Sequence, residues 1–168
     1  MFETAAALTR YPCLSPCPPR LSGMLQQTKQ FLEEERGLEM GKIALVRADV
    51  ARLPFPTGSL DAVHAGAAIH CWPNPQAALA EISRVLKPGG VFVASTFLKF
   101  TAPLGELLGD DLVRPLSQLE PESNSYKWWE EAELQDLCDT VGLGDWSRHR
   151  TNRFIMFSVR KPNTEVLV

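Results

Sequence analysis

The sequence predicts an α/β fold with parallel strands, and three observations carry that expectation. Short apolar runs at Ile43–Arg47, Leu60–Ala65 and Val91–Phe97 alternate with helical patterns, the order that a parallel sheet with crossover helices requires. Leu60–Ala65 is nearly continuous in apolar residues, as a strand buried on both faces should be. Small residues, Gly66-Ala67-Ala68, then stand at its carboxyl end, the edge where ligands bind in such sheets.

Taken in order, Met1–Leu21 reads as an irregular Pro-rich leader. Ala5–Leu8 fits one helical turn, but Pro12, Pro16, Pro18 and Pro19 prevent regular structure after it. Ser22 can cap a helix over Gly23–Arg36, with Met24, Leu25, Thr28, Phe31 and Leu32 on one face and Gly37 as its stop. The strand Ile43–Arg47 ends at Ala48-Asp49, and the Pro-bracketed run Leu53–Gly58 must be a loop. After Leu60–Ala65, Asn74 caps a helix over Gln76–Leu86 with Ala78, Leu79, Ile82, Val85 and Leu86 inward. Lys87-Pro88-Gly89-Gly90 breaks that helix before the strand Val91–Phe97.

Phe100–Ser125 has no clear period. Trp128–Val141 reads as a helix, with Glu130, Glu131 and Glu133 early, where the dipole favours acid, and Gly142 as its stop. Gly144–Arg150 and Arg153–Arg160 form an antiparallel pair across Thr151-Asn152. Lys161–Val168 is a frayed tail. The expected organisation is a leader over residues 1–21, one domain over 22–160 and a tail over 161–168.

A chain of 168 residues with 45% hydrophobic and 22% charged residues is ordinary for a globular domain. Seventeen basic residues against 20 acidic ones give a net charge of −3, which makes no electrostatic case for nucleic acid. No apolar run approaches the roughly 20 residues of a membrane-spanning helix. Cys13 and Cys17 form a C-x3-C pair, yet no matching downstream pair stands at a zinc-site spacing, so no metal site is expected. The absence of a signal-peptide pattern makes a reducing compartment the simpler expectation.

The ordered set Ala48-Asp49-Val50, Leu53-Pro54-Phe55-Pro56, Leu60-Asp61-Ala62-Val63, His70 and Arg84–Gly90 resembles the class I S-adenosylmethionine (SAM) dependent methyltransferases of type 11. Within that group it is similar to the enzymes around ubiquinone and menaquinone biosynthesis. The wording VRADVARLPFP…LDAVHAGAAIHCWPNP looks closest to a plant and cyanobacterial branch whose plant members are plastid proteins. The match covers about Met24–Arg160. Each piece alone is weak, since LKPGG by itself is just a helix stop, but together they are specific.

The resemblance implies a Rossmann-like sheet, SAM as methyl-donor cosubstrate and a small-molecule acceptor. It also implies roles for particular residues. Asp49 would receive the adenine amino group and the Val50 N–H a ring nitrogen, matching an acceptor to a donor and a donor to an acceptor. Gly66 would pass under the methionine part. His70 stands near the methyl-transfer side and is the candidate base, set against the plainer reading of a packed or capping His. His64, alternating with buried neighbours, reads as a core histidine, and His149 as part of a solvated face. Trp128-Trp129 could stack on a flat acceptor, although core Trp is the commoner role.

The family opens with a strand and an acidic-x-Gly-x-Gly-x-Gly loop, followed by an acid that holds the ribose. Neither occurs in this sequence; the ribose acid would fall near Pro19. The expectation is therefore an N-terminally truncated, partial sheet. The family's strands 3, 4 and 5 would be parallel, 6 and 7 an antiparallel hairpin, and strands 1 and 2 missing. Methyl transfer would then be weak or absent. The alternatives are a non-catalytic pseudo-methyltransferase that dimerises through its exposed sheet, or an incomplete gene product. Localisation by resemblance is plastid, with cytoplasmic as the alternative.

Overall fold

The computed structural model describes residues 5–6, 27, 29–34, 43–44, 46, 48–99 and 127–163. Among the described residues the elements follow in this order: β1 (Ala5–Ala6), a helix α1 of which residues 27 and 29–34 are described, β2 (Ile43–Ala44), β3 (Leu60–Ala65), a 3₁₀ turn (Ile69–Cys71), α2 (Pro75–Val85), β4 (Leu86–Phe97), α3 (Glu131–Thr140), β5 (Gly144–Thr151) and β6 (Phe154–Arg160). The main sheet runs β3-β4-β6-β5, with β3 parallel to β4 and the β5–β6 hairpin antiparallel. This is the 4-5-7-6 half of the expected Rossmann-like order.

One face of that sheet builds the core. Phe92 and Ala94 of β4 and Ile155, Phe157 and Val159 of β6 are each at most 1% exposed. They pack in one cluster with Ala78, Leu79, Ile82 and Val85 of α2 and with Leu134 and Cys138 of α3. Fully burying each large aliphatic or aromatic side chain contributes about 1.5–3 kcal/mol, so this layer supplies most of the drive to fold.

Local chemistry fixes the helix ends. The Asn74 side chain accepts from the Ala77 N–H at 3.0 Å, and Pro75 occupies the first turn of α2, where its missing N–H costs nothing. Glu130 and Glu133 form a reciprocal capping box at the start of α3. At its end Gly142 takes φ +74°, its N–H reaches the Asp139 carbonyl at 3.0 Å, and the Leu143 N–H reaches the Cys138 carbonyl at 3.0 Å. That pair of bonds is a Schellman stop.

The LKPGG motif does more than end α2. From Leu60 to Ala62 in β3 the ladder passes from Leu86 to Val91 in β4, so Lys87–Gly90 bulge out of it. A Cβ on Gly90 would lie 2.8 Å from the Lys87 carbonyl oxygen and 3.1 Å from that of Asp61. Gly90 is therefore required by close backbone approach. Lys161 locks the same joint: its N–H donates to the Gly90 carbonyl and its carbonyl accepts from the Gly89 N–H, both at 2.9 Å. Its Nζ donates to the carbonyls of Ser83 (2.8 Å) and Leu86 (2.9 Å), covering the end of α2. Lys161 is thus a fastened residue, not part of a frayed tail.

Other expectations are corrected. Ala5–Ala6 are extended and pair in parallel with Ile43–Ala44, where a helical turn was expected in the leader. Ile43–Ala44 thereby gains a partner from the leader. Leu60–Ala65 is not buried on both faces: Ala62 and His64 are exposed on one face, and Asp61 is exposed where the register shifts between Leu60 and Ala62. His64 faces away from Val63 and Ala65 because strand neighbours point oppositely, so it is no core histidine. The third helix begins at Glu131, and Trp129 instead bridges Leu98. Cys13, Cys17 and Phe100–Ser125 lie outside the described residues.

Candidate functional site

A cleft of about 450 Å³, open to solvent, lies at the carboxyl ends of the strands. Its lining includes Val50, Leu53, Val63, Gly66, Trp72 and Ile82. The apolar side chains come from the loop after β2, from β3, from the end of the 3₁₀ turn and from α2, while the His64 ring lines the cleft against Gly66. Val50 and Leu53 are 7% and 5% exposed, so the wall is well packed despite its loop origin.

A helix side-chain pair builds that wall. Arg84 donates to both oxygens of Glu81 (Nε 2.7 Å, Nη2 2.8 Å), to the Phe55 carbonyl (3.0 Å), to the Leu53 carbonyl (3.1 Å) and to Thr57 Oγ1 (3.3 Å). Glu81 Oε2 accepts from the Leu53 N–H at 2.8 Å. One planar fork thus satisfies a Pro-rich loop whose backbone cannot pair in a sheet. The Arg84 guanidinium, first by its hydrogen bond, holds the Glu81 carboxyl below its ordinary value.

The opposite rim is the loop between β3 and the 3₁₀ turn. Ala67 sits at φ +46°, and its N–H donates to Ser95 Oγ at 2.9 Å. His70 Nδ1 lies 3.2 Å from Thr96 Oγ1, and its ring meets Phe97 edge-on at 5.5 Å between centroids. Burial pushes the His70 imidazole below its ordinary value. Phe97 in turn meets Phe154 (5.8 Å) and Trp128 (6.4 Å), placing an aromatic cluster beside this rim.

Of the residues named from the sequence, Val50 and Gly66 face the same cleft from different strand ends. Asp49 adjoins Val50 and is exposed; its Oδ1 accepts from the Ala51 N–H at 2.9 Å, an Asx turn that fixes the carboxylate. His70 is not among the lining residues; it stands against Thr96 and Phe97. His149 is exposed, as expected of a solvated face. Trp129 is 1% exposed and belongs to the core, whereas Trp128 stays half-buried against Phe97. Sequence reasoning assigned no role to Ser95, Glu81 or Arg84, although Arg84 stood in the set that carries the resemblance. The Glu-x-x-Arg spacing on α2, next to a loop rich in Pro, was the available signal for the last two.

Similarity to known proteins agrees with this architecture. The type 11 methyltransferase domain matches residues 21–94. Two uncharacterized chloroplastic methyltransferases of Arabidopsis thaliana are 46% and 48% identical over 140 and 145 residues, 83% of this chain in both cases. The chain spans 38% and 39% of the length of those relatives. In fold it matches a putative methyltransferase from Bacillus halodurans with a TM-score of 0.62 at 17% identity, covering 84% of this chain and 80% of the other. The chain belongs to the class I SAM-dependent methyltransferases, in their type 11 group.

Proposed function

We propose that the cleft at the carboxyl edge of the sheet is the adenosyl site of a SAM-dependent methyltransferase acting on a small-molecule acceptor in the plastid. The observation that carries this reading is the meeting of Val50 and Gly66, from separate strand ends, on one cleft, with the exposed Asp49 next to Val50 in the chain. The lining fits the cosubstrate in offering apolar side chains for a flat base, beside the His64 ring, which packs against Gly66. When bound, SAM would supply a methyl group activated by its sulfonium.

This chain's residues bind and orient. The Asp49 carboxylate accepts from the exocyclic amine, and the Val50 N–H donates to a ring nitrogen. Leu53, Val63 and Ile82 keep water from the base, and the Glu81–Arg84 pair holds Leu53 in place. His70, kept neutral by burial, is the candidate to take a proton from the acceptor, whose rate would otherwise rest on positioning and exclusion of water. Plastid localisation follows the chloroplastic relatives. Because the sequence carries no ribose-holding acid near Pro19, binding by these 168 residues alone should be weaker by about ten- to a hundredfold than with that charge-assisted contact.

Calorimetric titration of the chain with SAM tests the reading. Saturable binding that falls about ten- to a hundredfold in Asp49→Ala supports it; equal binding by both proteins refutes the adenine contact. A second reading, self-association without catalysis, draws on Phe97 and Met156, which are 36% and 42% exposed and share one sheet face. Sedimentation showing a concentration-dependent dimer with no SAM binding would favour it over the first.

A further inference from the structure

We infer that Ser95 and Thr96 are positioning residues of the cleft, clamping the Gly66–His70 loop at two points. The inference rests on the reading of the cleft as the SAM site. Among the described residues, Ser95 and Thr96 are the buried polar ones, 6% and 0% exposed. A buried hydroxyl is costly unless it is hydrogen-bonded, so its partner reports what it is there to hold. Both partners belong to one short loop: the Ala67 N–H for Ser95 and His70 Nδ1 for Thr96.

Geometry makes this a clamp. Successive strand residues point to opposite faces: Ser95 shares its face with Met156, and Thr96 shares the other with Ile155. The loop is therefore gripped from both sides of the β4 end. Gly66 and Ala68, which flank the Ser95-bound amide, both line the cleft. Ala67 itself holds φ +46°, a left-handed conformation that a Cβ disfavours. Without the Ser95 hydroxyl, Ala67 loses the side-chain bond that favours this conformation, and Gly66 would leave the cleft with it. Ser95 and Thr96 touch no ligand in this account; they act through the loop.

The test is calorimetry with SAM on the full chain, together with amide hydrogen exchange read at Ala67 and at Phe92. Ser95→Ala should weaken SAM binding roughly three- to tenfold, the range of one lost hydrogen bond. It should speed exchange at Ala67 several-fold while leaving the buried Phe92 amide unchanged. Ser95→Thr, which keeps the hydroxyl, should behave as the parent. Adding Ala67→Gly to Ser95→Ala should restore much of the affinity, because glycine takes the left-handed region freely. Thr96→Val should weaken binding and shift the His70 ring resonances. Unchanged SAM affinity in Ser95→Ala overturns the inference, as does exchange that accelerates equally at Ala67 and Phe92. If the parent itself binds no SAM, the SAM reading fails. Exchange then decides the clamp alone: selective acceleration at Ala67 upholds it and uniform acceleration overturns it. Should Ser95→Ala not fold, Ser95→Cys, a weak acceptor of similar size, replaces it under the same criteria.

Discussion

Replacing Gly90 by alanine should damage the joint between α2 and β4, and the structure sets the size of the effect. The added Cβ would meet the Lys87 carbonyl oxygen at 2.8 Å, the Asp61 carbonyl oxygen at 3.1 Å and Leu86 Cδ2 at 3.2 Å. Two of these atoms are backbone and cannot rotate away, so either the bulge or β3 must move. Overpacking of this kind costs about 1–3 kcal/mol, and the backbone contacts put the expectation at the upper end. Gly142→Ala supplies a contrast. Its Cβ would meet nothing within 4 Å, but φ is +74°, so the cost is that of left-handed backbone alone, about 1–2 kcal/mol. Gly144→Ala has neither problem and should be neutral or stabilising by about 0.4–1 kcal/mol through the unfolded state. Urea unfolding followed by tryptophan fluorescence measures all three. The predicted order of stability loss is Gly90, then Gly142, then Gly144. Parent-like stability of Gly90→Ala would refute the close-packed reading of LKPGG.

The remaining predictions concern side chains. Cys138 is buried and its thiol pushed up to about 12, so iodoacetamide at pH 8 should leave it unmodified in the folded chain and alkylate it in urea; alkylation while folded would contradict its place in the core. His70 has its pKa lowered from 6.5 by burial, so below pH 6.5 the unfolded chain takes up the proton more readily and stability falls as pH drops. Replacing it by Gln should remove that share of the acid sensitivity, and equal urea midpoints of the two proteins relative to one another from pH 8 to pH 5 would count against it. Arg84→Lys cannot reproduce the fork, so trypsin should cut after the exposed Arg52 several-fold faster; an unchanged rate would mean the loop is held by something other than Arg84.

Much of the fold was legible because it is written in short-range chemistry. Asn74-Pro75 and Gly142 marked helix ends through backbone rules that need no tertiary knowledge. The hairpin followed from two strand patterns around Thr151-Asn152, and Asn152 takes φ +53° there. What escaped was set by distant partners. Lys161 caps α2 from the end of β6, and Ala5–Ala6 pair with Ile43–Ala44 across a long separation; nothing local announces either contact. Apolar continuity in Leu60–Ala65 suggested two buried faces, yet small Ala62 and amphipathic His64 tolerate exposure. For the site, the resemblance singled out Val50 and Gly66, and both line one cleft because strand ends converge in this fold. It could not place Ser95, since a hydroxyl in an apolar strand looks incidental until its partner is known.

The central claim is that SAM enters the cleft between Val50 and Gly66, with Asp49 next to Val50. Titrating SAM into the isotopically labelled chain, with backbone amide shifts followed by NMR, tests it most directly. The account predicts shifts that saturate at Val50, Gly66 and Ala67, and that shrink in Asp49→Ala at the same SAM concentration. Shifts confined to the β5–β6 hairpin and α3, or a pattern identical in parent and Asp49→Ala, would contradict it.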